Sequence, residues 1–227
     1  DGYLTLPSTL EEMGTSVFNH LKKMKNTTIN IPASLRVIGR ENGTSTHTLY
    51  NFAEQTFEEF TISPGNPYYK VVDGVLFSMD GTRLISYPQN LVFYDDEGNP
   101  TRTYEIPEGV TEIDIRTFYN CTSLASVEIP KSVTKIGGAA FSSCSSLESV
   151  ALPEGLISIG DGAFNSCSTL VNVIIPESVT EIGEYAFYNC KSFTNITIPE
   201  GVTEIKDYAF WGCSNLGSII IPEGVTK

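Results

Sequence analysis

The chain has 227 residues, of which 41% are hydrophobic, and its formal net charge at pH 7 is −13. This acidic excess argues against binding to nucleic acid or anionic lipid, because both require Lys and Arg to neutralise phosphate groups. No apolar run approaches the roughly 20 residues that a membrane-spanning helix needs. No signal peptide is visible, because the chain has no basic start and no apolar stretch behind it. Asp1 is not a natural initiator residue, so we expect that an upstream segment has been removed.

Residues 1–63 are predicted to form degenerate copies of one repeated unit. The pairs Leu6-Pro7 and Ile31-Pro32 each follow an alternating apolar segment, and a two-residue insertion separates the two units. Ser8-Thr9-Leu10-Glu11 also has the composition of a helix start, so a longer helix is an open alternative for the first unit. The second unit is enlarged by a polar loop that contains His47.

Residues 64–106 interrupt the pattern and are predicted to form an irregular, hairpin-like insertion or degenerate repeats. Two Asp-Gly dipeptides, Asp73-Gly74 and Asp80-Gly81, lie between runs that are rich in β-branched and aromatic residues. Asp-Gly is a strong signal for a tight hairpin turn. No linker composition marks a domain boundary here, so we expect one solenoid over residues 1–227.

Residues 107–227 repeat with a period of 23 residues, and the last unit ends part-way through a repeat at Lys227. Three residue types keep this period, namely the prolines Pro107, Pro130, Pro153, Pro176, Pro199 and Pro222, the phenylalanines Phe118, Phe141, Phe164, Phe187 and Phe210, and the cysteines Cys121, Cys144, Cys167, Cys190 and Cys213. A fixed period of 20 to 50 residues indicates that one structural unit is stacked into a solenoid.

We number each regular coil from its proline as position 0. Apolar residues alternate at positions 20 and 22, as in Val150 and Leu152, and predict a short strand. Positions 3 and 6 predict a second short extended piece. Between the two, the sequence Gly-x-x-Ala-Phe-x-x-Cys predicts one short α or 3₁₀ turn. Stacking would align the phenylalanines into a ladder along the core.

The motif I-P-x-x-V-T-x-I-G-x-x-A-F-x-x-C-x-x-L-x-x-V-x-I-P closely resembles the BspA-like class of bacterial leucine-rich repeats. The resemblance is strict over residues 104–227 and loose over residues 4–103. It implies a β-rich α/β solenoid, a right-handed leucine-rich-repeat superhelix whose 23-residue coils contain a strand, a short second strand and a short helical turn. It also implies a secreted or cell-surface bacterial protein without catalytic residues, and several members of the class adhere to host or matrix proteins.

Positions 18, 19 and 21 of the predicted strand point away from the core and form a small, weakly charged and partly apolar surface. In leucine-rich repeats such a sheet is a natural docking surface. The alternative is ordinary exposure of strand residues, because scattered apolar side chains are normal on protein surfaces. The candidate binding residues on this strand face are Ser149, Val171, Asn172, Ile174, Asn195, Thr197 and Ile220.

A second candidate surface lies at positions 9 and 12, which carry aromatic residues. Exposed Tyr and Trp are common at binding surfaces and bind sugars or proteins. The alternative is that these rings pack between neighbouring turns and cover the edge of the core. This aromatic stripe consists of Tyr119, Tyr185, Tyr188, Tyr208 and Trp211.

No motif predicts catalysis, a metal site or a cofactor. The cysteines lack the spacing of zinc ligands, and a ladder of parallel thiols is a poor geometry for disulfides, so we expect five free thiols in the core. A strained disulfide between neighbouring coils is the alternative. Neither His20 nor His47 lies in a catalytic motif. The turn at Asp95–Asn99 is rich in oxygen ligands, but a solvated turn explains it better than a Ca²⁺ site.

The sequence therefore predicts a non-enzymatic binding module of an exported bacterial protein, located outside the cell or on its surface. We expect adhesion to a host or matrix protein and no contact with nucleic acid or the membrane interior. Carbohydrate binding through the aromatic stripe is the alternative, and a structural spacer for another domain is a third possibility.

Overall fold

The structure is a computed structural model that describes residues 2–14, 27–38, 57–171 and 173–227. Within these ranges the chain forms short strands and no helix. The strands are β1 (Gly2–Thr5), β2 (Glu12–Met13), β3 (Thr27–Ile31), β4 (Val37–Ile38), β5 (Phe57–Ile62), β6 (Tyr69–Val72), β7 (Val75–Ser78), β8 (Arg83–Ser86), β9 (Phe93–Tyr94), β10 (Pro100–Thr101), β11 (Thr103–Glu105), β12 (Glu112–Ile113), β13 (Ser126–Glu128), β14 (Lys135–Ile136), β15 (Ser149–Ala151), β16 (Ser158–Ile159), β17 (Glu181–Ile182), β18 (Asn195–Thr197) and β19 (Ser218–Ile220). Most of them belong to one of two rows of parallel strands.

The first row contains the longer strand of each coil. It is made of the sheets β1-β3-β5, β11-β13-β15 and β18-β19, all with parallel pairing. In the regular part, partners lie one repeat apart, so that Thr103 pairs with Ser126 and Ser126 with Ser149. The strand that was predicted from apolar positions 20 and 22 is observed at positions 19 to 21, and the 23-residue spacing of the coils is confirmed.

The second row contains the two-residue strands at positions 5 and 6. β12, β14, β16 and β17 pair in parallel, and β12 also pairs with β8. β8 continues into the antiparallel meander β6-β7-β8 within residues 64–106. Asp73 and Gly74 form its first turn with φ of 48° and 76°, which fits a type I′ turn and explains the Asp-Gly pair. Asp80-Gly81 lies in the second turn.

The predicted helical turn is absent, because the Gly-x-x-Ala-Phe-x-x-Cys segment folds as consecutive β-turns. The N–H of Ala140 donates to the carbonyl of Gly137, and that of Cys144 to Phe141, at 3.2 Å each. Between these turns the Phe141 N–H donates at 2.7 Å to Ala163 in the next coil. Alternate amides therefore bond between coils, which a helix cannot allow. The β-rich solenoid is confirmed, whereas the α component is not observed in the described residues.

The core runs along the solenoid as ladders of equivalent side chains. Neighbouring rings of the phenylalanine ladder are stacked at centroid distances of 4.9, 5.1, 5.4 and 5.5 Å, with interplanar angles of 6° or less. Phe118, Phe141, Phe164 and Phe187 are fully buried. The predicted aromatic ladder is therefore confirmed.

Three features named from the sequence lie outside the described residues. The first is the longer helix that was the alternative for the first unit, most of which, including His20, falls outside these ranges. The other two are the loop that contains His47 and residue Asn172 of the strand face.

Candidate functional site

The strand face is built by the outward residues of β15, β18 and β19 and by the segment that occupies the same position in the coil between them. In β15 and β18 the middle residues, Val150 and Ile196, are buried, and the flanking residues on either side of them are exposed. This alternation turns Ser149, Asn195 and Thr197 toward solvent. Because Val150 and Ile196 both point into the core, the outward residues on either side of them line up in rows across successive coils.

The centre of the strand face is apolar. Ile174 is 85% exposed and Ile220 is 60% exposed, and Val171 is exposed as well. Thr197 pairs with Ile220 in the parallel register, and Asn195 pairs with Ser218. Apolar groups surrounded by small hydrogen-bonding side chains resemble the arrangement in protein–protein interfaces, where an apolar centre has a polar rim.

The strand face is charged at its earlier end and more apolar in the later coils. At its earlier end, β11 and β13 place Glu105 beside Glu128, and Arg102 lies 3.9 Å from Glu148. Toward the later coils, Ala151, Ile174, Thr197 and Ile220 take the place of the two glutamates at position 21. A partner laid across the strands would therefore meet charged groups first and apolar groups further on.

The structure brings together four of the five residues of the aromatic stripe. Tyr185 stacks on Tyr208 at a centroid distance of 4.9 Å, and Tyr188 stacks on Trp211 at 4.8 Å. Tyr185 and Tyr188 are 5.6 Å apart and tilted, so the two stacks are joined. We call these four residues the aromatic cluster. Its rings pack between neighbouring turns, as the alternative expected, and Tyr185, which has a coil on either side, remains 38% exposed.

Tyr119 lies apart from the aromatic cluster, in the first regular coil. The guanidinium carbon of Arg116 lies over the Tyr119 ring, 4.8 Å from its centroid. Arg116 occupies position 9 and Tyr119 position 12, the same two positions that Tyr185 and Tyr188 fill three coils later. Sequence reasoning missed this cation–π pair, although the spacing of Arg and Tyr by three residues was visible in the sequence.

Sequence reasoning also missed a groove of about 530 Å³ on the side of the second strand row. Its floor contains Gly137 and Gly160, and charged residues line its walls. Those charges are engaged with one another or with neighbours, because Lys135 lies 2.8 Å from Glu112 and Lys206 lies 2.9 Å from Glu181. We therefore do not assign a ligand to this groove.

The cysteines have the chemistry of structural thiols. All five are free, and all but the half-buried Cys213 are fully buried. The thiols of Cys144 and Cys167 each donate at 3.0 Å to a phenylalanine carbonyl of the preceding coil. Burial raises the pKa of Cys144 from its ordinary value of 9.0 to about 12. A thiol that stays protonated at neutral pH cannot act as a nucleophile.

The turn at Asp95–Asn99 is organised by hydrogen bonds. One carboxylate oxygen of Asp95 accepts from the backbone N–H of Asn99 at 2.7 Å and from that of Glu97 at 3.1 Å, and these bonds lower the pKa of Asp95. In the described residues, no three His, Cys, Asp or Glu side chains converge as metal ligands would. Across the same residues, no helix has the length and apolarity that crossing a membrane requires.

Comparison with protein families gives one match that covers most of the chain. The model of the BspA type leucine rich repeat region matches six copies, at residues 2–53 and 89–216. The unmatched stretch between them contains β5 and the β6-β7-β8 meander. None of the curated proteins matches the sequence significantly. The resemblance inferred from the repeat motif is therefore confirmed.

Solved structures with this fold come from several bacteria. A leucine rich cell surface protein from Faecalibacterium prausnitzii is 30% identical with a TM-score of 0.75, and the match covers 94% of this chain and 52% of that protein. The pneumococcal vaccine antigen PcpA is 23% identical with a TM-score of 0.70, and the match covers 98% of this chain and 55% of PcpA. A leucine-rich repeat protein from Eubacterium ventriosum is 20% identical, also with a TM-score of 0.70 and with coverages of 98% and 61%. The chain thus spans about half the length of these relatives, and the last two support the fold alone.

Proposed function

Because the chain belongs to the family of BspA-type leucine-rich repeats, we propose that it is a non-enzymatic, protein-binding module of a bacterial surface protein. Its partner is a host or matrix protein, and its role is adhesion. The similar protein from Faecalibacterium prausnitzii is a cell surface protein, which supports an extracellular or cell-surface location for this chain. Repeat families of this kind are typically binding modules, and their extended surfaces suit macromolecular partners.

One observation carries the proposal, namely the exposed apolar centre of the strand face. Ile174 keeps 85% of its surface in contact with solvent, and Val171 and Ile220 are exposed around it. Covering such side chains with an apolar partner surface is favourable by about 25 cal/mol for each Å² removed from water. The small polar residues Ser149, Asn195 and Thr197 supply hydrogen bonds at the rim.

The chemistry of the titratable groups supports a role without catalysis. The buried thiols are protonated at neutral pH, and the described ranges contain no histidine, since His20 and His47 lie outside them. A nucleophilic site needs an activated group beside a base, and burial keeps these thiols from being activated. The strand face carries Ser, Thr and Asn side chains, which serve recognition.

Capture experiments with strand-face variants test this function. The chain is immobilised and exposed to a purified preparation of extracellular matrix proteins, and binding is measured by surface plasmon resonance. We expect saturable binding by the native chain. The double variant Val171→Glu, Ile174→Glu should bind at least tenfold more weakly, a difference of about 1.4 kcal/mol, because two buried charges would oppose the apolar contact.

The matched control removes the aromatic cluster from the other surface. Tyr185→Gly and Tyr208→Gly suit the backbone, since both residues have a positive φ and Gly162 occupies the equivalent position. Binding of the control within twofold of the native chain supports the strand face. Normal binding by the strand-face variant, together with loss of binding by the control, would assign the matrix contact to the aromatic cluster instead.

A further inference from the structure

The aromatic cluster has a backbone that aromatic residues rarely adopt. Tyr185 and Tyr208 have φ of 56° and 57°, in the left-handed region. In this region a bulky side chain is strained by about 1–3 kcal/mol. In the preceding coil, Gly162 fills the same position with φ of 62° and without this cost. Core packing does not require the two tyrosines, because both are exposed.

A row of carboxylates follows the edge of the aromatic cluster. Asp161, Glu184 and Asp207 occupy position 8 of three consecutive coils, directly before Gly162, Tyr185 and Tyr208. Backbone hydrogen bonds hold the two rows together, because Gly162 donates to the Glu184 carbonyl at 2.7 Å and Tyr185 donates to that of Asp207 at 3.0 Å. All three acidic side chains are exposed. Burial in the cluster, with Glu184 and Asp207 nearby, raises the pKa of Tyr185.

These coils are acidic as a whole. Between Pro153 and Pro222 the basic residues are Lys191 and Lys206, and the ammonium group of Lys206 is already 2.9 Å from Glu181. The acidic residues in the same span are Glu154, Asp161, Glu177, Glu181, Glu184, Glu200, Glu204 and Asp207. Charge complementarity therefore favours a cationic partner for exposed rings in this region.

The molecule contains its own example of a cation at these positions. In the first regular coil Arg116, at position 9, places its guanidinium over the ring of Tyr119, at position 12. Arginine is well suited to such a contact, because its planar group stacks on aromatic faces and also pairs with carboxylates. The repeated backbone thus already accommodates a guanidinium against an aromatic ring at positions 9 and 12.

The side of the aromatic cluster that faces the preceding coil is built on a buried glycine, Gly162. Tyr185 stacks on Tyr208 in the following coil, so its other face points back toward Gly162 in the preceding coil. Gly162 has no side chain, and an added Cβ there would meet nothing closer than Asn165 at 3.7 Å. The carboxylate of Asp161 is turned toward the following coil, where its Oδ1 accepts from the backbone N–H of Glu184 at 2.9 Å. The carboxylates that a partner can reach beside the rings are those of Glu184 and Asp207, which are both exposed.

We infer that the aromatic cluster and the neighbouring carboxylates bind an arginine-containing segment of a protein. One guanidinium stacks on the exposed part of the aromatic rings. Further basic side chains of the same segment pair with Glu184 and Asp207, one coil apart. This surface is separate from the strand face, so its test does not depend on the proposed matrix contact.

Trp211 provides a direct readout, because it is the single tryptophan of the chain and belongs to the aromatic cluster. The chain is titrated with blocked tetra-arginine peptide at low ionic strength while tryptophan fluorescence is recorded. We expect a saturable change, and no change with a Gly-Ser peptide of equal length. The triple variant Asp161→Asn, Glu184→Gln, Asp207→Asn should raise the dissociation constant at least tenfold, and so should Tyr185→Gly.

The matched control removes the same amount of charge from another corner of the coils. Glu154, Glu177 and Glu200 occupy position 1, are exposed, and are changed together to Gln. We expect this control to bind tetra-arginine within twofold of the native chain. Equal weakening in both triple variants would overturn the inference, because the attraction would then depend on net charge alone. A saturable response to cellotetraose without one to tetra-arginine would assign the cluster to carbohydrate, and no response to either ligand would also overturn it.

Discussion

Two positions of every regular coil keep a left-handed backbone, whichever residue fills them. Position 13 has positive φ in all five coils, where it is occupied by Asn120, Ser143, Ser166, Asn189 and Gly212. Position 9 behaves in the same way, from Arg116 to Tyr208. Left-handed residues at fixed intervals break any right-handed helix, and they let alternate amides bond to the neighbouring coil. The coil geometry therefore sets the backbone, and the residues at these positions accommodate it.

Substitutions at Ser166 test this constraint. Ser166 has φ of 62°, and its hydroxyl donates to the side-chain carbonyl of Asn165 at 2.7 Å. We expect Ser166→Asn to leave the free energy of unfolding unchanged or slightly higher, because Asn tolerates this region. Ser166→Val should cost about 1–3 kcal/mol, because a β-branched side chain is strained there. Chemical denaturation measures both variants, and equal stability would argue against the left-handed backbone.

The thiol ladder predicts how stability depends on alkaline pH. The pKa of Cys144 is raised from 9.0 to about 12 because the thiol is buried. Between these two values the unfolded state loses this proton while the folded state keeps it, so stability falls as pH rises. We expect a decreasing melting temperature from pH 9 to 11, and a shallower decrease in Cys144→Ala.

A thiol reagent checks the same feature at constant pH. Five thiols should react fully in denaturant without reductant, and the four buried ones should react slowly in the folded chain. Rapid reaction of all five in the folded chain would contradict the burial of the ladder.

At the scale of the element, a row of glycines at position 7 brings the coils into close contact. A Cβ added to Gly160 would lie 2.6 Å from the backbone nitrogen of Gly138, and one added to Gly137 would lie 2.6 Å from that of Ile115. Both contacts are with backbone atoms, which cannot move aside. The conformation at these glycines is ordinary, so the need for glycine is one of space.

Gly160→Ala is therefore expected to destabilise the chain by about 1–3 kcal/mol, the usual range for overpacking. Gly155→Ala is the matched control, because its added Cβ would meet only the carbonyl of Lys131, at 3.5 Å, and its φ is not positive. We expect the control to be neutral or to gain stability through the lower entropy of the unfolded chain. Thermal unfolding of the two variants distinguishes them, and similar melting temperatures would contradict the close packing of the second strand row.

The elements that the sequence predicts correctly are those that depend on side-chain periodicity. Alternation at positions 20 and 22 predicts the long strands, and the Asp-Gly pairs lie in the turns of the meander. The structure of the Gly-x-x-Ala-Phe-x-x-Cys segment was harder to predict, because Ala and Phe lie four and three residues before Cys, a spacing that also matches a helix. Its true structure depends on hydrogen bonds to the next coil, such as Phe141 to Ala163, which no local pattern contains.

The sequence predicted which residues line up on each candidate surface, but it did not predict how their side chains are arranged there. Strand alternation places Ser149 and Thr197 outward, and the spacing of the aromatic stripe puts Tyr185 beside Tyr208. The stacking of Tyr185 on Tyr208 and the guanidinium over Tyr119 depend on ring orientation and backbone φ. Those quantities follow from the stacked structure and not from the spacing of residues.

At the scale of the whole molecule, stacking turns single residues into long surfaces with different chemistry. The strand face becomes less charged toward the later coils, with Ile174 at its most exposed point. The turn side of the same coils presents the aromatic cluster beside the carboxylate row. A partner laid along either surface meets equivalent positions in successive coils, so its contacts add. We therefore expect affinity to be distributed over several coils.

The location of a bound matrix protein on the surface tests the proposed function most directly. The chain is labelled at the δ1-methyl groups of isoleucine, and methyl NMR spectra are recorded with and without the captured matrix protein. Ile174 and Ile220 should shift or broaden, because they form the apolar centre of the strand face. Ile157 is 52% exposed at position 4, outside the strand face, and should keep its signal. Perturbation of Ile157 with unchanged signals from Ile174 and Ile220 would contradict the account.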